Sequence, residues 1–222
     1  MGVGPRPSGT IEAMTVPGRV DAASLLLSLD PPPWFVRHAR AVAEVAGWLA
    51  ARIDADGTPV DRRLVESAAL LHDADKALPS DDPARTLPHG DGSAVWLTLH
   101  GHPELARAVA GHPVTRLLDG ERYTRWAAFA SREERIVAYA DKRAGQRLES
   151  MDARFASWRR RYPRIDADGR DLGWTDADMR AVKVRAERLE ADVCRAAGVA
   201  PRDVRRLAWT GPALRAARDA SR

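Results

Sequence analysis

The chain has almost no thiol and contains no long apolar run. Its 222 residues include one cysteine, Cys194, which excludes an internal disulfide and makes a reducing, cytoplasmic location our expectation. A structural zinc site of the usual thiol-rich kind is excluded for the same reason. No run of about 18 apolar residues occurs, which excludes a membrane-spanning helix. The first residues carry no basic segment followed by an apolar stretch, so we expect no secretory signal.

Lysine is also scarce, with only Lys76, Lys142 and Lys183, so the net charge of +4 comes almost wholly from arginine. The arginines are scattered among acidic residues. A nucleic-acid-binding or RNA-processing module would require a contiguous basic stripe with aromatic platforms. We therefore expect the partner to be a phosphorylated small molecule, most simply a nucleotide, attracted by a modest basic field. The sequence makes no prediction about oligomeric state.

The pattern of apolar residues predicts an all-α fold, because no alternating strand pattern and no internal repeat occurs. Residues 34–53 place apolar side chains at helical spacing on one face. Asp61 is a predicted N-cap of the next helix. Ser131 and Glu134 form a predicted capping box for the longest helix, expected over residues 132–160. A final helical segment is expected from residue 201 to about residue 217.

Composition divides the chain into three parts. Residues 1–18 are rich in glycine and proline and are predicted to be a flexible tail. Residues 19–160 are predicted to form the core, and residues 161–222 to form C-terminal helices packed on that core. Within the last part, Thr175 and Asp178 are predicted to start a helix.

The six histidines of the chain lie within one stretch, namely His38, His72, His89, His100, His102 and His112. Asp73 follows His72 directly, and Asp141 lies in the apolar stripe of the predicted longest helix. A buried carboxylate without a partner is costly, so Asp141 must meet an arginine or a metal. Neighbouring side chains of a helix diverge by about 100°. His72 and Asp73 can therefore reach one metal only if their helix ends there.

In this order, His38, His72-Asp73 and Asp141 resemble the H…HD…D signature of the HD-domain superfamily of metal-dependent phosphohydrolases. The run AALLHDADK resembles the family's apolar run, HD pair and downstream lysine. ERIVAYADKRAGQR resembles the helix that delivers the last aspartate. The resemblance covers about residues 34–160 and implies an HD-domain helical bundle in which these four residues hold a first metal, with Asp73 in a bridging position.

His89 and His112 resemble the two additional histidines of HD proteins that hold a pair of metals. The chain is most similar to the bacterial enzymes that split diadenosine tetraphosphate symmetrically. The implied cofactor is one or two divalent ions. Histidine nitrogen with carboxylate oxygen suits iron, manganese, cobalt or nickel and accepts zinc or magnesium, and we expect iron or manganese. His100 and His102 remain without an assigned role and are open as surface residues, outer hydrogen-bond donors or substitutes for His89.

Phosphoryl transfer also needs positive charge directed at the nonbridging oxygens. We predict Asp73, Lys76 and Arg147 as the catalytic residues. Lys76 and Arg147 are also predicted to bind the substrate, together with Arg116 and Arg125. For each of these arginines, a surface salt bridge is the open alternative to a functional role.

Two functions of different classes follow from these residues. The first is a metal-dependent phosphohydrolase that cleaves a phosphoester or phosphoanhydride through a metal-activated water. The second is a non-catalytic HD-like module that senses a nucleotide or a metal. The complete set of metal ligands favours the enzyme.

Overall fold

A computed structural model describes residues 16–161, Gly169 and residues 173–222. Over these residues the chain is helical and forms no β-strand, which confirms the all-α prediction. In chain order the α-helices are α1 (Arg19–Ser28), α2 (Pro33–Ala55), α3 (Arg62–Leu71), α4 (Asp91–Leu99), α5 (Ala106–Ala110), α6 (Gly120–Phe129), α7 (Arg132–Arg143), α8 (Met151–Arg161), α9 (Asp176–Ala196) and α10 (Thr210–Ala220). The predicted tail lies outside the described residues up to residue 15, as does most of the segment between α8 and α9.

The core lies between α2, α3 and α7, which pack on one another in all three pairings. Along α2 the apolar face is fully buried, from Phe35 through Val42 and Leu49 to Ile53. Helix α7 is buried almost all round from Ile136 to Arg143, because α2, α3, α5 and α9 surround it. The ends of α2, α3 and α7 can therefore bring side chains to a common point.

The predicted N-caps are confirmed at three helices. Asp61 accepts a hydrogen bond from the backbone N–H of Leu64 at the start of α3. Ser131 and Glu134 form a capping box at α7, and Thr175 and Asp178 form one at α9. Each cap satisfies N–H groups that have no partner within the helix, so these helices begin where the sequence indicates.

The predicted helix over residues 132–160 is wrong, because α7 ends at Arg143 and α8 begins at Met151. Ala144 is extended, and the backbone N–H of Glu149 returns to the carbonyl of Arg143 at 2.7 Å. The Arg143 guanidinium donates to the Glu149 carbonyl and to that of Pro201, which fastens the turn to the C-terminal part of the chain. The apolar period continues through the break, so periodicity alone did not reveal it.

The predicted last helix from residue 201 is also wrong. Pro201–Asp203 is a single 3-10 turn, and α10 begins only at Thr210. The segment between them lies along α2, where the N–H of Leu207 donates to the Glu44 carbonyl and the indole of Trp209 donates to the Ala43 carbonyl. These contacts with α2 replace the hydrogen bonds that a continuous helix would make.

Helices α9 and α10 both contact the part of the chain that precedes them. Helix α9 packs on α7 and α2, and α10 packs on α1 and α2. No helix among the described residues is both long enough and apolar enough to cross a membrane.

Candidate metal centre

Four side chains from the ends of three helices converge. His38 comes from the second turn of α2, His72 and Asp73 directly follow α3, and Asp141 lies in the last turn of α7. The Nε2 atom of His38 is 3.3 Å from Asp73 Oδ2 and 3.5 Å from Asp141 Oδ1. His72 Nε2 is 3.7 Å from the same Asp141 oxygen and 3.5 Å from Asp73 Oδ1. Because α3 ends at Leu71, the adjacent His72 and Asp73 reach one centre.

Two further histidines approach Asp73 Oδ1, the oxygen that also faces His72. His89 Nε2 lies 3.2 Å and His112 Nε2 lies 3.3 Å from Asp73 Oδ1. His89 lies two residues before the start of α4, and His112 lies two residues after the end of α5. Asp73 is thus shared by a His38–His72–Asp141 group and a His89–His112 group.

Each imidazole is oriented through its other ring nitrogen. The Nδ1 atoms of His38, His72 and His112 lie 2.7, 2.8 and 2.5 Å from the backbone carbonyls of residues 145, 69 and 109 respectively. A carbonyl only accepts, so each Nδ1 carries the proton and donates it. His89 Nδ1 lies 2.9 Å from Asp75 Oδ2. All four Nε2 atoms therefore face the centre, which is the arrangement of imidazoles that ligate a metal.

The contacts inside the centre fit a cation. His38 and His72 place their Nε2 atoms 3.2 Å apart, and His89 and His112 do the same. In neutral rings that donate through Nδ1, these Nε2 atoms are acceptors, so each close pair requires a positive charge between its two nitrogens, either a proton or a metal ion. Asp73 Oδ1 is buried and has no hydrogen-bond partner among the described residues. A divalent ion accepts electron density from all of these atoms, and nitrogen with carboxylate oxygen is a suitable donor set.

The electrostatics show how strongly this centre favours positive charge. Burial alone would lower the pKa of His38, but its hydrogen bonds with Asp141 and Asp73 outweigh burial and raise the pKa to about 9. Burial would also lower the pKa of His89, but its hydrogen bonds with Asp73 and Asp75 outweigh burial and raise the pKa to about 9. At His112, burial lowers the pKa to about 4. Without a metal ion, protons on His38 and His89 compensate the carboxylates.

The carboxylates hold their charge despite burial. Burial alone would raise the pKa of Asp73, but the surrounding imidazoles and Lys76 hold it well below its usual range. Burial alone would likewise raise the pKa of Asp141, but its hydrogen bonds with His38 and His72 keep that pKa well below the usual range. Two charged carboxylates in a buried site require cations, and the ligand geometry indicates that a metal is one of them.

Lys76 lies at the border between the centre and solvent. Its Nζ donates to Asp73 Oδ2 at 2.9 Å, and 44% of its side chain is exposed. Burial would lower the pKa of Lys76, but Asp73 outweighs it and raises the pKa. The ammonium group is therefore charged and directed toward the centre.

A cavity of about 560 Å³ opens beside the centre, and His38, Asp73, Lys76, His89 and Asp141 line part of it. The remainder is mainly aromatic and apolar, with Trp34, Trp158, Trp174 and Met179 among its lining residues. This volume is within the range of sites that bury a single small ligand.

Three predicted substrate-binding arginines do not line this cavity. Arg147 was predicted to lie on a helix continuing from Asp141, but α7 ends at Arg143. Its side chain is 83% exposed and lies 3.7 Å from Glu149. Arg116 forms an ion pair with Asp91 at 2.5 Å and donates to the carbonyls of residues 89 and 110, so it supports the His89 segment. Arg125 is exposed on α6. The catalytic role expected for Arg147 has no support in this geometry.

His100 and His102 also lie outside the described metal-ligand groups. The His100 ring stacks on Trp96 with ring centroids 4.2 Å apart, and its Nδ1 donates to the Trp96 carbonyl. His102 Nδ1 lies 3.5 Å from Glu104. His100 is thus held at the end of α4, whereas His102 Nδ1 has no hydrogen-bond partner among the described residues.

Sequence reasoning missed two residues of the site. Asp75 accepts from His89 and from the backbone N–H of Gly90, at 2.9 Å each. Its position two residues after Asp73 was the available signal. Arg154 of α8 is 6% exposed and lines the cavity. The sequence did not indicate this position of Arg154, because the predicted continuous helix from residue 132 would have placed it elsewhere.

The fold and the site together define an all-helical protein with a buried histidine–aspartate centre suited to divalent metal. The HD domain family model matches residues 35–145, which include all six converging ligands. Because this match spans half of the 222 residues, the chain belongs to the HD domain family, whose members are generally metal-dependent hydrolases. No curated protein and no solved structure gives a significant match to the chain.

Proposed function

We propose that the protein is a metal-dependent phosphohydrolase that cleaves a phosphoester or phosphoanhydride of a nucleotide or a related small phosphorylated molecule. The observation that supports it best is the convergence of four imidazole Nε2 atoms on the Asp73 carboxylate, whose Oδ1 has no hydrogen-bond partner among the described residues, beside Lys76 and an open cavity. A site built only to stabilise the fold would not need a ligand-sized opening next to its ligands.

In this proposal His38, His72, Asp73 and Asp141 hold one divalent ion, and Asp73 with His89 and His112 holds a second. Divalent metal held by these residues would supply a more acidic water molecule and positive charge for the phosphoryl oxygens. We propose iron or manganese as the ion, and the same donor set accepts magnesium, cobalt, nickel or zinc. The lone buried Cys194 supports a reducing, cytoplasmic location.

The reaction consumes one water. Its oxygen forms a bond to phosphorus, the bond from phosphorus to the leaving oxygen breaks, and the leaving oxygen gains a proton. Lys76 is placed to offer an ammonium group to a nonbridging oxygen, since it is charged and lines the cavity. Asp73 orients Lys76 through their 2.9 Å contact while it faces both histidine groups.

The test combines metal content, metal-dependent stability and turnover. Protein loaded with Mn²⁺ is assayed for phosphate release from nucleoside mono-, di- and triphosphates and from diadenosine tetraphosphate, the substrate of the subgroup that the sequence resembles. Replacement of Asp73 with asparagine or alanine is expected to abolish metal retention and turnover, because Asp73 is the shared ligand. The rise in Tm that Mn²⁺ causes in the wild-type protein is expected to vanish as well.

The matched control is Asp81→Asn, which removes the same charge from an exposed position and is expected to keep metal and activity. Full turnover by the Asp73→Ala protein would refute the mechanism. Tight nucleotide binding by the metal-loaded wild type without any hydrolysis would instead support the sensing module.

A further inference from the structure

Arg154 is a buried cation at the wall of the cavity. Arg154 is only 6% exposed, and no carboxylate among the described residues forms an ion pair with it. The contact that holds it is long: Nη2 lies 3.4 Å from the backbone carbonyl of Asp141. Its buried Nε–H has no hydrogen-bond partner within the same part of the chain. Burying an uncompensated guanidinium is costly, so this position suits an anion that arrives from the cavity.

The anion is expected to be a phosphoryl group. Arginine presents a planar set of N–H donors that matches phosphate oxygens. Arg154 and the candidate metal ligands His38, Asp73, His89 and Asp141 line one cavity, and Arg154 donates to the backbone carbonyl of Asp141. A phosphoryl group that reaches the metal centre therefore lies within the space that Arg154 borders.

An aromatic surface adjoins the same guanidinium. The Arg154 Cζ atom lies 4.8 Å from the centroid of the Trp158 ring, which is cation–π distance. The position of Trp158 is supported by Phe155, whose ring meets it edge-on with centroids 4.9 Å apart. Trp34 and Trp174 line the cavity as well. Indole rings bind flat groups by stacking, and this gives no comparable advantage to a short aliphatic group.

We propose that Arg154 and Trp158 form a substrate subsite for the phosphate ester of a planar aromatic group: Arg154 binds the phosphoryl group and Trp158 stacks on the ring. This inference rests on the proposed function and narrows its substrate class to a mononucleotide-sized aromatic phosphomonoester. The cavity volume of about 560 Å³ fits one such ligand. The finer resemblance to enzymes that act on diadenosine tetraphosphate receives no support from this subsite.

The test uses binding as well as turnover. Phenylphosphonate and propylphosphonate are not cleaved at an ester bond, and their affinities for the Mn²⁺-loaded protein are measured by calorimetry. Phenyl phosphate and propyl phosphate are the corresponding substrates for phosphate release. We expect the wild-type protein to prefer the phenyl compound in both assays, by about tenfold or more from the stacking of a ring on an aromatic side chain.

The variants separate the two roles. Trp158→Leu is expected to remove most of the phenyl preference and leave propylphosphonate affinity nearly unchanged, and Trp158→Phe is expected to restore part of the preference. Arg154→Met is expected to weaken both phosphonates alike and to lower kcat/KM for both esters by about 100-fold, as loss of a donor to developing charge does. Arg195→Met, the same change at an exposed arginine of α9 outside the cavity lining, is the control.

The outcomes distinguish this subsite from the proposed function. Phosphate release together with equal affinities for the phenyl and propyl compounds would overturn the subsite and leave the hydrolase intact. A phenyl preference that Trp158→Leu abolishes would support the subsite even if neither ester is hydrolysed, in which case the proposed function fails alone. Metal content equal to that of the wild type is required of each variant, because no side chain changed is a proposed metal ligand.

Discussion

Asp75 provides the sharpest test of how the metal centre is assembled, because it orients the proposed ligand His89 and is not itself a proposed ligand. Its carboxylate is 6% exposed and accepts from His89 Nδ1 and from the N–H of Gly90, while its own backbone N–H donates to Ser93. Burial alone would raise the pKa of Asp75, but His89 outweighs it and lowers the pKa. A carboxylate in this position directs Nε2 inward and makes the imidazole a stronger ligand.

The perturbation is Asp75→Asn, which keeps the size of the side chain and one accepting oxygen but removes the charge. Loss of such an orienting carboxylate lowers metal affinity by about 10- to 100-fold. This corresponds to about 1.4–2.8 kcal/mol of binding free energy. The weakening is expected at the ion held by His89, whereas the His38–His72–Asp141 group has no contact with Asp75 and its ion is expected to stay.

The assay is a Mn²⁺ titration of chelator-treated protein, followed by the electron paramagnetic resonance signal of unbound Mn²⁺. Wild-type protein is expected to bind two ions, and the variant to show one class weakened and one nearly unchanged. Asp81→Asn again controls for the loss of charge. Two ions bound by Asp75→Asn as tightly as by the wild type would refute the claim that Asp75 positions His89.

Two more predictions concern pH and packing. Because the pKa values of His38 and His89 are raised from 6.5 to about 9, their protons stabilise the metal-free fold fully below pH 6.5, and this contribution is lost as pH rises toward 9. Between pH 6.5 and 8 we therefore expect the Tm of chelator-treated protein to fall while Mn²⁺ affinity rises by up to about 100-fold per pH unit if both protons are released; a pH-independent affinity would contradict this. Gly92→Ala is expected to destabilise the protein by about 1–3 kcal/mol, since its Cβ would overlap the Ala84 carbonyl oxygen. Thermal unfolding measures this change, and Gly211→Ala, whose Cβ would meet only side-chain ends at 3.6 Å, should show no loss; equal Tm values for the two variants would refute the packing argument.

The positions of the helix caps could be predicted from the sequence because they depend on local chemistry. Asp61 and Ser131 start helices by accepting from N–H groups within the next three residues, and such contacts need no tertiary partner. The same holds for the end of α3 at Leu71, which lets His72 and Asp73 face one centre. These predictions required only the order of residues within one or two turns.

The misplaced arginine shows where local reasoning ends. Ala144 to Ser150 continue an apolar period, yet the chain turns there because the Gly145 carbonyl accepts from His38 and the Arg143 side chain is held by Glu149 and Pro201. His38 lies 107 residues from Gly145 in the sequence, and Pro201 lies 58 residues from Arg143. The turn takes Arg147 into solvent and brings Arg154 to the cavity.

From its sequence alone this chain determines an all-helical fold, the starts of its principal helices and a set of histidines and aspartates fit for metal. The tertiary structure decides which histidines join that set, which carboxylate orients His89 and which arginine lines the cavity. The physical reason is that caps and helical periods depend on neighbours along the chain. The direction of a side chain at a helix end depends instead on hydrogen bonds from other helices, whose strength is not encoded in any local pattern.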